Sequence, residues 1–559
     1  MNTAVLLWLA AVAQPVHASS SASEKRRLRI VYVVNSWWPK IDGAAIATMG
    51  HVAHFVASGH SVLVVKPSIR ANEVLALEAE RAGYGVDQMP AAGGAGGERG
   101  GALAYAEFGT LADARAGGFE IAVDPLGLGE AERAIHAWLP DVVLVTDPCL
   151  FLFDAFRVPG ILPGITSLRP AVEASKQPVT IASYTTHLVD AVFQMPDFWW
   201  LPKAAEPLLH AGVAVSYALF DHIFVNGEPT KAYLRDEAKL GLLGGPAGRS
   251  LDLAQRTTVV ASRGVAADYC SAVPPEVCDA SSAASRMRAR PAGSLALLYV
   301  GRLTYDKYVD QLVEAFSLAL ADLERAPPPS GRMPTLYLVG SGELDALVRE
   351  AAARHPGRIE LLGSMQPAHV PCVLHEASAF ISAAANETFG RAQVEALRCE
   401  VPLLLMTLPK GNMHVRHGIN GLLGATAAAL AEHIAAAVRT PALLEQLQAG
   451  AKASALEAGL VTHGSNAAML DAVLTAHRSA GGDHRGAAPG DKVHWHLLWT
   501  PLFLVGRLID AQTDAIAITI AIVVALLASV ACFCRACCCR PRRPTRQGRG
   551  GGRTKRKAA

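Results

Sequence analysis

Short runs of consecutive apolar residues, each closed by a glycine or a polar turn and followed by a stretch with helical spacing, recur along this chain. Strands in a parallel sheet covered by helices on both sides read this way, because neither face needs polar residues for solvent. The run Leu28–Val34, the turn Pro39–Gly43, the helical stretch Ala44–Ser58 and the run Ser61–Val65 make one βαβ unit. Further strands are expected at Asp141–Val145, Val179–Tyr184, His222–Val225 and Thr257–Val260. Residues 91–118, rich in Gly and Ala, read as a loop insertion, because strand-like sequence resumes after them. Residues 271–294, rich in Ser, Ala and Pro, read as an interdomain connection. A second series then begins at Leu295–Leu303 and continues through Thr335–Val339, Arg358–Gly363 and Ala379–Ala384.

Length and charge agree with two domains plus appendages. At 559 residues the chain exceeds one ordinary domain. The formal net charge is +2, but residues 535–559 carry ten Lys and Arg and no acid, so the remainder stands at −8 once those ten are subtracted. A body of that sign is not a nucleic-acid binder. Residues 515–534 contain no charge and are almost wholly apolar; at 1.5 Å per residue they span about 30 Å, the thickness of a bilayer core. With Trp495, Trp499 and Phe503 before it and a basic tail after it, this segment reads as a transmembrane helix with its tail on the cytoplasmic side. Residues 477–514 form a stem and juxtamembrane segment. At the other end, residues 1–18 read as a secretory signal peptide, with an uncleaved anchor or a plastid leader as open alternatives. The expected location is thus a single-pass membrane protein with a lumenal body (ER or Golgi), or a plastid membrane.

Half of the ten cysteines cluster at Cys532–Cys539 and suit palmitoylation. In the body, Cys270 and Cys278 are placed to pair in an oxidising compartment, while Cys149, Cys372 and Cys399 read as isolated buried thiols.

The stretch Asn386–Leu397 carries the chemistry. Glu387 falls on a loop where a strand ends, and Glu395 about one turn into the following helix, whose positive end can face phosphates. Upstream, Gly301-Arg302-Leu303 and Asp306-Lys307 close the first strand of the second series, and Gly340-Ser341-Gly342-Glu343 closes the next. Arg302 and Lys307 bring a forked donor and a point charge to the sheet edge where ligands of α/β folds bind.

These segments, in this order and with His417-Gly418-Ile419-Asn420-Gly421 after them, resemble family 4 glycosyltransferases, retaining enzymes of the GT-B fold, over roughly residues 28–476. The resemblance implies two Rossmann-like domains, 28–270 and 295–476, with parallel sheets facing across a cleft. It implies a nucleotide-sugar co-substrate, a UDP- or GDP-sugar, and no metal cofactor. Gly301, Arg302, Lys307, Gly340, Phe389, Gly390 and Glu395 would bind the donor, with Glu395 accepting from the ribose hydroxyls. Glu387 would face the transferred sugar, orienting it and stabilising the transition state, and His187 would reach the sugar from across the cleft. Gly43 matches part of a glycine loop on the acceptor side, whose second glycine is Ala44 here.

Ser183–His187, the aromatic and proline-bearing segment Phe193–Lys203 and Val225–Pro229 together are most similar to the sulfoquinovosyl and diacylglycerol branch. Thr185 and Pro409–Asn412 depart from that branch. A lipid acceptor at a membrane follows as the first expectation; a glycan or protein acceptor in the secretory pathway and a non-catalytic scaffold are the alternatives. The sequon Asn386-Glu387-Thr388 lies inside the site and is expected to carry no glycan.

Overall fold

The computed structural model describes residues 27–34, 37, 43–67, 101–122, 134–147, 178–194, 202–236, 256–260, 263–265, 268–407, 413–455 and 462–483, with short breaks at 109, 117–118, 136, 386 and within 202–220. The expected signal peptide, membrane span and basic tail lie outside these residues, as do Trp199, Trp200, Pro409–Asn412 and residues 484–514 of the expected stem; its first residues, 477–483, are instead the end of a helix. No helix among the described residues is long and apolar enough to cross a membrane.

Two parallel sheets form the frame. Across the first, the strands run Leu103–Phe108, Ser61–Pro67, Arg29–Val33, Val142–Thr146, Val179–Tyr184, His222–Val225 and Thr257–Val259. Across the second they run Ile359–Gly363, Thr335–Val339, Ala296–Val300, Ala379–Ser382, Leu403–Met406 and Gly421–Gly424. Each sheet grows outward in both directions from its first strand, so each has a point where the order reverses, and ligands of open α/β sheets bind there.

The unbroken apolar runs supply two cores at once. Alternate residues of a strand point to opposite faces. Val31 and Val33 join one core with Ile223 and Tyr217, while Ile30, Tyr32 and Val34 join another with Phe55. In the second half Leu297 and Tyr299 face the helix Val309–Arg325, and Ala296 and Leu298 face the helix Arg391–Arg398.

The structure corrects the sequence reading in two places. Residues 91–118 are not all loop: Leu103–Phe108 is an edge strand parallel to Ser61–Pro67, and Thr110–Ala116 pairs antiparallel with Phe119–Ala122. The Gly- and Ala-rich surroundings masked that strand, which needs side chains on one sheet edge only. The cysteines also pair differently: Cys270 bonds to Cys399 and Cys278 to Cys372, with Cα separations of 5.4 and 5.0 Å. Cys372 and Cys399 are therefore not isolated thiols, and Cys270 and Cys278 are not partners.

Both disulfides fasten the connection to the second sheet. Residues 271–294 contain two short helices, Pro275–Asp279 and Ser282–Arg288, and Met287 is fully buried in the second half's core. The last described helix, Thr462–Asp483, goes the other way. Its Met469, Leu470, Val473 and Ala476 pack with Leu28, Ile30 and Phe55, so the chain returns to the first half after completing the second.

Candidate active site: a cleft turn braced from both halves

The loop after strand Ala296–Val300 is built around Asp306. This carboxylate is buried, accepts from the Thr304 hydroxyl at 2.5 Å and from Arg302 Nη2 at 2.8 Å, and so fixes the direction of the guanidinium. Glu343 of the neighbouring loop accepts from the Tyr305 amide at 3.1 Å. A Cβ on Gly340, whose φ is +136°, would lie 1.9 Å from the Gly301 carbonyl oxygen. The two loops thus touch backbone to backbone, and Gly340 is explained by that approach.

The second loop follows strand Ala379–Ser382, which ends two residues before Ala384 because the Ser382 hydroxyl takes the Ala384 amide at 3.2 Å. Glu387 lies on it, partly buried and in an ion pair with Lys307. Phe389 is buried, and Gly390 turns the chain into the helix Arg391–Arg398 with φ +74°. Glycine is required there by the positive φ; a Cβ would also meet the end of the Gln393 side chain at 2.6 Å, which would have to shift. The N-cap position, Gly390, supplies no side-chain cap to this helix. Glu395, 8% exposed, is paired with Arg391 Nε at 3.0 Å. Burial raises its pKa, and the Arg391 charge opposes that rise.

The facing loop of the first half is held by Asp147, a residue the sequence reading did not single out. Asp147 follows strand Val142–Thr146, is fully buried, and has a φ of +43°. It accepts from the Thr185 amide at 2.5 Å, the Thr186 amide at 3.2 Å, the Thr186 hydroxyl at 3.0 Å, Tyr217 at 3.3 Å, and the Thr185 hydroxyl. His187 sits at the end of the loop so fixed, buried, with Nδ1 3.1 Å from the Tyr184 hydroxyl and its ring edge-on to Tyr233.

The halves meet at the glutamate loop itself. The Thr388 hydroxyl donates to the Thr185 carbonyl oxygen, and Thr388 is buried by the contact. Arg391 Nη1 donates to the Gly264 carbonyl at 3.4 Å, and a Cβ on Gly43 would lie 3.6 Å from Arg391. That spacing is ordinary contact, so protein packing does not itself demand glycine at 43.

His414 supports the loop from below. Its Nε2 donates to the Phe389 carbonyl at 2.5 Å and its ring stands edge-on to Phe389, 4.8 Å between centroids. Asn420 explains the later motif: its amide nitrogen donates to the His414 carbonyl at 2.9 Å and to Ser454 at 2.8 Å, and its oxygen accepts from the Arg416 amide at 2.7 Å. Burial lowers the His414 pKa to about 4, against the opposing pulls of Phe389 and Glu387. The unfolded chain binds this proton near pH 6.5 and the folded one does not, so His414 penalises folding progressively from pH 6.5 down to about 4 and by a constant amount below. Relative to wild type, a His414→Gln variant is expected to lose about 3 kcal/mol less stability over that interval, as measured by urea unfolding at matched pH. Buried Asp147 and Glu395, with raised pKa values, act in the opposite direction, which is why the difference between the two proteins is the quantity to compare.

Of the residues expected from sequence, Arg302, Lys307, Gly301, Gly340, Glu387, Phe389, Gly390 and Glu395 gather on adjoining loops and one helix end, with Gly43 against Arg391. His187 belongs to the opposing loop that Thr388 touches. Asp147, Arg391 and His414 were missed. Asp147 closes an apolar run at the sheet edge where ligands bind, and Arg391 lies inside the Asn386–Leu397 stretch, so both carried a readable positional signal.

Two parallel-sheet halves meeting at such a turn define the GT-B class of α/β fold. Residues 284–454, within the second half, match the family described as Glycosyl transferases group 1. Over 131 residues the chain is 30% identical to the GtfA subunit of the UDP-N-acetylglucosamine–peptide N-acetylglucosaminyltransferase of Streptococcus pneumoniae. The match spans 23% of this chain and 24% of that relative, about a quarter of its length. Among solved structures, sucrose-phosphate synthase from Thermosynechococcus elongatus is similar with a TM-score of 0.54 and 17% identity, covering 81% of this chain and 100% of the other. Anabaena HepE, solved with UDP-glucose, is similar with a TM-score of 0.51 and 16% identity, over 80% of this chain and 99% of the other. At these identities the likeness is one of fold.

Proposed function

We propose that this protein is a retaining glycosyltransferase that moves a sugar from a nucleoside diphosphate sugar to a membrane-associated lipid. The observation that carries the reading is the turn at 382–395. It places Glu387 against Lys307, beside a guanidinium fixed by Asp306, and seals the arrangement to the first half through Thr388 and Thr185. In transfer, the bond from the anomeric carbon to the diphosphate breaks, the acceptor oxygen bonds to that carbon on the same face, and its proton passes to the departing phosphate. Arg302 and Lys307 meet the charge that develops there, with the uncapped helix amides adding partial positive charge. Glu387 orients the sugar and stabilises the positive charge growing on its ring; Glu395 accepts from the ribose hydroxyls. This assignment leaves charge neutralisation to side chains rather than a metal ion.

The lipid acceptor rests on the apolar segment 515–534 and the aromatic segment 193–203, which also motivate a membrane location with a lumenal body. The two disulfides favour that oxidising side. A glycan or protein acceptor is the second reading, favoured by the match to a peptide-modifying relative.

Purified protein supplied with UDP- and GDP-sugars should release nucleotide, and Glu387→Ala and Arg302→Ala should lower that release at least tenfold. Release unchanged in both variants would sink the site assignment. Lipid extracts offered beside peptide and glycan acceptors separate the two readings by which product carries the sugar.

A further inference from the structure

We propose that Arg391 is a positioning residue for donor binding: it holds the Glu395 carboxylate ionised and aimed, and a disulfide-anchored segment holds Arg391. The proposal rests on the nucleotide-sugar reading of the cleft. Glu395 is nearly buried on the second turn of a helix, where an isolated carboxylate favours protonation. A protonated carboxyl gives up the paired acceptor oxygens that suit two ribose hydroxyls. Something nearby must keep the charge in place, and the guanidinium of Arg391, one turn back on the same helix, is 3.0 Å from Glu395 Oε1.

Arg391 is itself held in place. Its side chain is only 17% exposed. It donates to the Gly264 carbonyl of the segment that joins the halves, and Gly43 of the first half lies close enough that an added Cβ would touch it. The joining segment is pinned in turn. Val265 is fully buried in the second half's core, the Cys270 carbonyl accepts from His375 at 2.9 Å, and Cys270 is bonded to Cys399, whose amide donates to the Glu395 carbonyl at 3.2 Å. Tyr269, adjacent to Cys270, packs on the same core and its hydroxyl also favours the charged form of Glu395. The titratable groups bearing on Glu395 are therefore Arg391 from its own helix and Tyr269 from the anchored segment.

The full chain is tested by measuring UDP and GDP binding calorimetrically from pH 6 to pH 9 in wild type, Arg391→Gln and Arg391→Lys, with thermal unfolding of each. Affinities are read as the ratio of variant to wild type at each pH, which cancels the nucleotide's own titration. Arg391→Gln should bind at least tenfold more weakly at pH 6 and recover part of that loss as the pH rises, the direction in which the unaided carboxyl ionises. Arg391→Lys, which keeps the charge but not the fork, should lie between the two. Arg391→Gln binding within twofold of wild type throughout, or a loss that is flat in pH and unrelieved by lysine, overturns the role of Arg391. Wild-type protein that binds neither nucleotide overturns the donor reading itself, a different result from either.

Discussion

An Asp147→Ala variant should lose about 3 kcal/mol of stability, measured as a lower urea midpoint at unchanged slope. The residue is fully buried and gathers two backbone amides and three hydroxyls into one carboxylate. Alanine leaves the Thr185 and Thr186 amides without that acceptor, and an orphaned buried donor costs more than the net worth of the bond it lost. Relief from burying the carboxylate offsets part of this, since burial already raises its pKa. Asp147→Asn keeps an oxygen acceptor and should cost roughly half as much. The residues released are the ones that carry His187 and present the Thr185 carbonyl to Thr388, so nucleotide release by Asp147→Asn should fall further than its stability does. A fully active Asp147→Ala protein with an unmoved midpoint would show that the loop is fixed by other contacts.

Lys307→Met is expected to lower turnover by about 10² to 10³, with a smaller change in KM for the donor sugar. Methionine keeps most of the volume, so packing survives while the charge goes. Under the proposed assignment two effects would coincide: the leaving diphosphate would lose a cation, and Glu387 would lose its ion-pair partner. Lys307→Arg should restore only part of the rate, because a planar fork does not place its charge where an ammonium does. If Lys307→Met altered KM alone, the lysine would bind ground state and transition state equally, and its contact with Glu387 would have no catalytic meaning.

Much of the frame was readable in the chain because strands buried on both faces leave unbroken apolar runs. Val179–Tyr184, His222–Val225 and Thr335–Val339 fall where those runs placed them. The edge strand Leu103–Phe108 did not announce itself, since an edge position tolerates Ala104, Ala106 and Glu107 and sits among glycines. The glutamate turn was legible because a strand end, a glycine and a helix must follow one another there. The disulfides were not, as partners separated by 129 and 94 residues are set by how the connection folds back on the second sheet, which spacing does not encode. Nor was the function of Asp147: its meaning lies in Thr185 and Thr186, which meet it only once two neighbouring strands are side by side.

The return of helix Thr462–Asp483 to the first half decides which half bears a load from downstream. The last described residues thus lie on the half that carries His187 and Gly43, not on the one that carries Glu387 and Glu395. A tether joined to that helix would restrain the first half directly. Any separation of the halves would then be a movement of the second, made against the Thr388–Thr185 and Arg391–Gly264 contacts.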